Sequence, residues 1–198
     1  EEGILEKKTF KKTVIIGELA LNGKIRPIPG ILASVDFALK QGFERMIVPG
    51  ENAQEASLLK GIQILPAHTL HEAVAYLQGK TYPLLIKPID PIHSNYSTQV
   101  DMLHVKGQYQ AKRALEIAAA GGHNLLMSGP PGAGKTLLAQ ALQGILPKMS
   151  ETEMLEVTKI YSIAGALPKS QPLITKRPFR AIHHTASAVS LVGGGAIP

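Results

Sequence analysis

The chain contains the stretch Gly129-Pro130-Pro131-Gly132-Ala133-Gly134-Lys135-Thr136, which fits the pattern G-x-x-x-x-G-K-[ST]. Apolar residues over Asn124–Ser128 predict a buried strand before it, and Leu137–Leu146 predicts a helix that Pro147 ends. In this strand, loop and helix order, backbone N–H groups at a helix N-terminus cradle phosphates. The stretch therefore predicts a P-loop and, around it, an α/β domain.

Each residue type in the loop has an expected role. The Lys135 ammonium is expected to reach the β- and γ-phosphates of ATP, and the Thr136 hydroxyl to ligate Mg²⁺. The remaining loop residues and Leu137, at the start of the helix, are expected to surround the phosphates. A glycine-rich turn without a ligand is the alternative, and the strand before it and the helix after it argue against that alternative.

Hydrolysis needs two further groups, namely a carboxylate that holds Mg²⁺ through water and a residue that orients the attacking water. After Thr136 the acidic residues are Glu151, Glu153 and Glu156, all on one predicted helix, and Asp101 lies upstream of the loop. None of them follows an apolar strand, as a Walker B acid would. We therefore expect ADP and ATP to bind with negligible turnover, and we assign no catalytic residue.

The first 79 residues alternate strand and helix patterns, which predicts an α/β domain. Asn22-Gly23 is a hairpin signal, Gly42 ends a helix, and Thr69 can cap another. The predicted strands are Val14–Leu21, Lys24–Pro27, Arg45–Val48 and Ile62–Leu65; the predicted helices are Ile31–Gln41, Asn52–Leu59 and Thr69–Leu77.

A stretch with three prolines, Gly79–Gln99, predicts an extended linker over residues 80–100, because proline fixes φ and removes a backbone donor. Beyond it, Tyr109–Ala120 predicts an alanine-rich helix. Ser150 with Glu153 matches a capping box that opens a helix towards Tyr161. Residues 101–198 are thus expected to form a second domain.

Bulk composition narrows the function classes. No apolar run approaches the roughly 20 residues of a membrane-spanning helix, and the chain has no cysteine, which agrees with a cytoplasmic location. Residues 1–100 carry 11 Lys/Arg against 10 Asp/Glu, and residues 101–198 carry 10 against 5. The basic second half suits a polyanionic partner such as DNA, or is simply a solvated basic surface.

Three motifs in order make residues 101–198 recognisable: Val105-Lys106-Gly107-Gln108 with the helix that follows it, the P-loop, and Arg177-Pro178-Phe179-Arg180-Ala181-Ile182-His183-His184-Thr185-Ala186-Ser187. Together they resemble the magnesium-chelatase-type AAA+ family, in particular its YifB/ComM branch. Ile182 stands where that family commonly has proline, which is expected to change the shape of the loop. The resemblance implies that Gly107 and Gln108 lie near the adenine.

The same resemblance implies that Gly193-Gly194-Gly195 precedes a Walker B strand beyond Pro198, so that the missing hydrolytic residues reflect truncation. It also implies a pore-facing insertion, whose candidates for DNA contact are Arg177, Arg180, His183 and His184. A solvated loop is the alternative. A metal site at the two histidines is disfavoured, because adjacent strand residues point to opposite faces.

The first domain resembles the C-terminal domain of Lon protease, a ribosomal-S5-like fold, through Gly17-Glu18-Leu19-Ala20-Leu21-Asn22-Gly23 and Pro27-Ile28-Pro29-Gly30-Ile31. Ser34 stands where the protease has a lysine, so a structural or partner-binding module is expected in place of a peptidase. Residues 1–79 are thus expected to be an N-terminally incomplete Lon-like domain, before a truncated AAA+ domain.

The resemblance implies a ring-forming, homohexameric, DNA-dependent ATPase like the ComM branch-migration helicases of recombination and natural transformation. One alternative is the motor subunit of a magnesium chelatase, against which the Lon-like domain argues. Another is a regulatory nucleotide-binding module without motor activity, which predicts no DNA-stimulated hydrolysis.

Overall fold

A computed structural model describes residues 11–80, 86, 100–168 and 171–182. Their contacts divide the chain into two compact units, Glu1–Asn95 with Met149–Lys176 and Tyr96–Lys148 with Arg177–Pro198. Most of the predicted linker, together with His183, His184 and Gly193-Gly194-Gly195, lies outside the described residues. None of the helices in the described ranges could span a lipid bilayer.

A three-stranded parallel sheet organises the first unit. Its strands are β1 (Thr13–Ile15), β4 (Arg45–Pro49) and β5 (Gln63–Ala67), with β4 in the centre. Ile47 lies beside Ile15 on one side and beside Leu65 on the other. Parallel neighbours need helical crossovers, and α1 (Ile31–Lys40) and α2 (Ala53–Ala56) lie between these strands in the chain. The predicted α/β class is confirmed.

The hairpin predicted at Asn22-Gly23 is also confirmed, but it is shorter than expected. Strand β2 (Glu18–Leu19) pairs antiparallel with β3 (Ile25–Arg26). The single strand predicted over Val14–Leu21 is instead divided at Ile16-Gly17, because β1 pairs in the parallel sheet and β2 in the hairpin.

Helices in the first unit follow their predicted caps, with one exception. Helix α3 (Leu70–Leu77) begins after Thr69, whose hydroxyl accepts the Glu72 N–H at 3.2 Å. Asn52 does not cap α2; its side chain accepts the Ile28 N–H and donates to the Ile28 carbonyl, both at 3.0 Å. Helix α2 consequently spans only four residues.

Helix α6 (Glu151–Ile163) belongs to the first unit, although the sequence suggests that it continues the second domain. Its capping box at Ser150 and Glu153 forms as predicted. The helix buries Thr158 and Ser162, which are 0% and 2% exposed, and the Ser162 carbonyl accepts the Gly30 N–H at 3.0 Å. This division differs from the predicted domain boundaries because α6 packs against α1 and its Ser162 hydroxyl donates to Glu55 of α2.

The second unit contains α4 (Tyr109–Gly121) and α5 (Lys135–Ile145). They meet through a core in which Leu115, Leu138 and Ala141 are buried with Val105. A 3-10 turn over Met102–His104 begins at Asp101, whose carboxylate accepts the Leu103 N–H at 2.8 Å. The helical core therefore holds α4 against α5.

The buried strand predicted over Asn124–Ser128 is wrong for this structure. The segment has no strand assignment, and Leu126 is 94% exposed. A strand is stabilised by hydrogen bonds to a neighbour, and no described residue of the second unit forms a strand that could pair with it.

Candidate nucleotide-binding site

The loop Gly129–Gly134 leads directly into α5, which begins at Lys135. Gly132 and Gly134 have φ of 78° and 82°, in the left-handed region that favours glycine. A Cβ at either position would meet no described atom within 4 Å, so backbone conformation and not crowding explains these glycines. The first N–H groups of an α-helix have no partner within the helix. The loop therefore turns sharply onto a helix end that can bind an anion.

Lys135 lies across the loop that precedes it. Its ammonium donates to the Gly129 carbonyl at 2.8 Å and to the Pro130 carbonyl at 2.7 Å. The lysine ammonium thus lies against the backbone of the loop. The exposed Thr136 is the next residue of the helix.

Gly107 and Gln108 approach this loop from the start of α4. Both have left-handed φ, 63° and 53°, which is uncommon for a residue such as glutamine. The Gln108 side-chain amide lies 3.5 Å from the Ala133 carbonyl. The structure thus brings Gln108 next to the P-loop residues, far from them in sequence.

The four residues predicted to contact DNA have different environments in the structure. Arg177 Nε donates to the Pro147 carbonyl at 2.7 Å, and the Gln143 side-chain amide donates to the Arg177 carbonyl. Arg180 is exposed. His183 and His184 lie outside the described residues.

Acidic side chains that could serve hydrolysis are few in the second unit. Its sequence contains only Asp101 and Glu116. Asp101 caps the 3-10 turn, and Glu116 pairs with Arg113 at 3.0 Å on the surface of α4. Both carboxylates thus already serve local contacts.

Sequence patterns did not reveal the role of Gln143 and Pro147 at the C-terminal end of α5. Nothing in the spacing of a lone glutamine and a helix-ending proline indicates a partner 30 or more residues away. The only sequence signal for this contact was the basic motif that begins at Arg177, which indicated a functional segment.

Comparisons with known proteins cover nearly the whole chain. A family model described as magnesium chelatase, subunit ChlI, matches residues 101–198, and a second model, described as subunit ChlI of Mg-chelatase, matches residues 2–52. A Mycobacterium tuberculosis protein is 45% identical over 186 residues, which is 94% of this chain and 37% of the relative.

Two further relatives have informative names. YifB of Escherichia coli is 45% identical over 184 residues, 93% of this chain and 36% of YifB. Competence protein ComM of Haemophilus influenzae is 39% identical over 197 residues, 98% of this chain and 38% of ComM. The chain thus spans little more than a third of the length of these relatives. Two family models and the similarity to YifB and ComM agree with the P-loop and the Arg177 motif, and the chain belongs to the YifB/ComM family of magnesium-chelatase-like proteins.

Proposed function

We propose that the loop Gly129–Thr136 binds ATP with Mg²⁺. The observation that carries the proposal is the position of Lys135, whose ammonium crosses the loop immediately before the N-terminus of α5. The loop backbone and Lys135 hold the phosphates, Thr136 ligates Mg²⁺, and Leu137 continues the helix start. Gly107 and Gln108 flank the adenine. Bound ATP with Mg²⁺ supplies a cleavable phosphoanhydride bond.

We further propose that the chain is the nucleotide-binding part of a DNA-dependent ATPase that acts in recombination or natural transformation, as a cytoplasmic homohexamer. Support comes from its similarity to ComM, which is named a competence protein. The positive charge of the second unit also supports the proposal, since its sequence has seven Lys/Arg against two Asp/Glu. Cations release counterions from DNA phosphates, which favours association.

The first unit is proposed to be a Lon-like module without peptidase activity. Ser34 takes the position of the lysine expected in a Lon protease, and its hydroxyl donates to the Gly30 carbonyl at 3.2 Å within the first turn of α1. The Ser34 hydroxyl is hydrogen-bonded within its own helix and carries no positive charge. It therefore cannot replace the lysine ammonium that would activate a nucleophile. We therefore assign this unit a structural or partner-binding role.

Lys135→Ala tests nucleotide binding in the 198-residue chain. Removal of the ammonium should abolish measurable ATP binding in isothermal titration calorimetry, because one cationic contact to two phosphates is lost. Lys60→Ala, an exposed lysine of the first unit, is the matched control and should bind ATP as the parent chain does. Equal affinity of both variants would reject the proposed site.

The DNA-dependent activity is tested in the full-length protein by measuring ATP hydrolysis with and without single-stranded and branched DNA. We expect DNA to raise turnover and Lys135→Ala to remove it. In contrast, the 198-residue chain should bind ATP without multiple turnover, because Asp101 and Glu116 serve local contacts. ATP hydrolysis that changes neither with DNA nor with Lys135→Ala would contradict the motor proposal.

A chelatase motor is the second candidate, favoured by the ChlI description of both matching family models. It predicts ATP hydrolysis stimulated by a porphyrin with Mg²⁺ and not by DNA. The same hydrolysis assay with a porphyrin added separates the two candidates.

A further inference from the structure

The segment Arg177–Ile182 begins at the C-terminal end of the P-loop helix α5. Arg177 is held there twice, since its Nε–H donates to the Pro147 carbonyl at 2.7 Å and its own carbonyl accepts from the Gln143 side-chain amide. One contact uses the Arg177 side chain and the other its backbone. Together they fix both the position and the direction in which the segment leaves the helix.

Phe179 lies close to the same helix. With Val100, Gln140 and Gln143 it lines a small cavity of about 190 Å³. Gln140 and Gln143 are one turn apart on α5, so this cavity lies along two successive turns of the helix. Phe179 is 39% exposed, and Arg180 is exposed as well, so the segment presents its basic side chain to solvent.

Helix α5 joins this attachment to the loop Gly129–Thr136. Its 11 residues span about 16 Å. Leu138 and Ala141 are buried between the two ends. A helix that is packed along its length moves as a body, so a displacement at Lys135 is carried to Gln143.

We propose that Arg177 is a positioning residue, which couples the Arg177–Ile182 segment and its exposed Arg180 to nucleotide binding at the other end of α5. The inference rests on the proposed binding of ATP by Gly129–Thr136. It assigns Arg177 to an intramolecular contact and leaves Arg180 as the candidate for polyanion contact among the described residues of this motif.

A single-tryptophan reporter tests the coupling, because the sequence contains no tryptophan. Phe179→Trp places an environment-sensitive fluorophore beside the cavity that Phe179 shares with Gln140 and Gln143 of α5. ATP with Mg²⁺ is added to the reporter chain and to the reporter chain carrying Arg177→Ala, Gln143→Ala or, as the matched control, Arg180→Ala. ATP affinity is measured for each chain by calorimetry.

We expect ATP to shift the emission of the reporter chain and of the Arg180→Ala chain. In the Arg177→Ala and Gln143→Ala chains the shift should be lost while ATP affinity stays unchanged, which a merely structural weakening would not produce. Should Arg177→Ala fail to fold, Arg177→Lys retains the charge but cannot reproduce the Nε–H donor, and the shift should be lost there too.

The failures are distinguishable. If the reporter chain binds no ATP, the proposed function is rejected, and the inference with it. If it binds ATP but shows no shift, or the same shift without Arg177, only the coupling is rejected.

Discussion

At the scale of one residue, the Lys135 ammonium can exchange its hydrogen-bond acceptors when a nucleotide binds. Its ammonium donates to two neutral carbonyls, those of Gly129 and Pro130. Phosphate oxygens are anionic, so the ammonium gains a Coulomb attraction there that a neutral carbonyl does not provide. The carbonyl contacts therefore hold the lysine near its working position and can be replaced by stronger ones when phosphates bind.

Gln108 combines a side-chain contact with an unfavourable backbone conformation, and two substitutions separate these properties. Its φ of 53° is left-handed, which costs a non-glycine residue about 1–2 kcal/mol. Gln108→Gly should therefore raise the free energy of unfolding, by up to about 1 kcal/mol, whereas Gln108→Ala should not. Urea denaturation measures the difference.

Both Gln108 variants lose the amide that lies 3.5 Å from the Ala133 carbonyl, so both should bind ATP more weakly in calorimetry. Equal unfolding free energies for the two variants would contradict the backbone strain at Gln108. If both variants bound ATP as tightly as the parent chain, Gln108 would not belong to the nucleotide-binding site.

At the scale of elements, α6 buries polar residues and exposes apolar ones. Thr158 and Ser162 are buried, whereas Ile160 and Ile163 are 65% and 63% exposed. The buried polar groups are paired: Ser162 donates to the Glu55 carboxylate, and the Thr158 hydroxyl accepts the Ile174 N–H at 3.0 Å. Because an unpaired buried polar group costs about 1–3 kcal/mol, these pairs specify where α6 packs.

Asp36 supplies the charged part of this packing. It pairs with Lys159 of α6 at 2.7 Å and with Lys40 at 3.0 Å, and its side chain is 25% exposed. The hydrogen bond from Lys159 chiefly lowers the pKa of Asp36, with help from Lys40, while burial opposes the change. A lowered folded-state pKa means that the stabilisation is present above the unfolded pKa and is lost as pH falls through the folded value.

Asp36→Asn should therefore lower the free energy of unfolding at neutral pH by about 1 kcal/mol. The difference from the parent should shrink below about pH 4, where the unfolded carboxyl titrates, as measured by urea denaturation at several pH values. Glu44→Gln is the control, because the Lys12–Glu44 pair is 63% exposed on both sides and should contribute little. A difference independent of pH would contradict the ion-pair explanation.

At the scale of the whole molecule, charge is divided unequally between the two units. Seven Lys/Arg against two Asp/Glu fall in the sequence of the second unit, and the first carries 14 against 13. The unit with the candidate phosphate loop is thus also the basic one, and nucleic acid should be attracted to it.

Binding of single-stranded DNA to the chain should weaken as salt rises, with a slope set by the number of phosphates contacted. Arg180→Ala should reduce that slope by about 0.7 for each phosphate contact removed, measured by fluorescence anisotropy over a salt series. Lys60→Ala in the first unit should leave the slope unchanged. An unchanged slope in Arg180→Ala would exclude Arg180 from the DNA contact.

Several features follow from local sequence alone. The Thr69 cap and the Ser150 capping box form as predicted, and the hairpin at Asn22-Gly23 forms with shorter strands than predicted. Each depends on residues that are close to one another in the sequence. The P-loop pattern likewise places Gly132, Gly134 and Lys135 at a helix start. The alternation of strands and helices is enough to predict an α/β unit, whereas the parallel pairing of its sheet is seen only in the structure.

Tertiary structure alone decided the partners of these elements. The strand predicted over Asn124–Ser128 lacks a described neighbour, and α6 packs on the first unit through Ser162. Arg177 is bound to Pro147, and Gln108 reaches Ala133, across 30 and 25 positions. Amphipathic spacing indicates only that the apolar face of an element must be buried. Hydrogen bonds between distant residues select the surface that buries it. The sequence by itself therefore determined the loop, most of the helices and the caps at Thr69 and Ser150, because these depend on neighbouring residues. The fold decided which elements meet, and it used Asn52 for a contact with Ile28 in place of a cap.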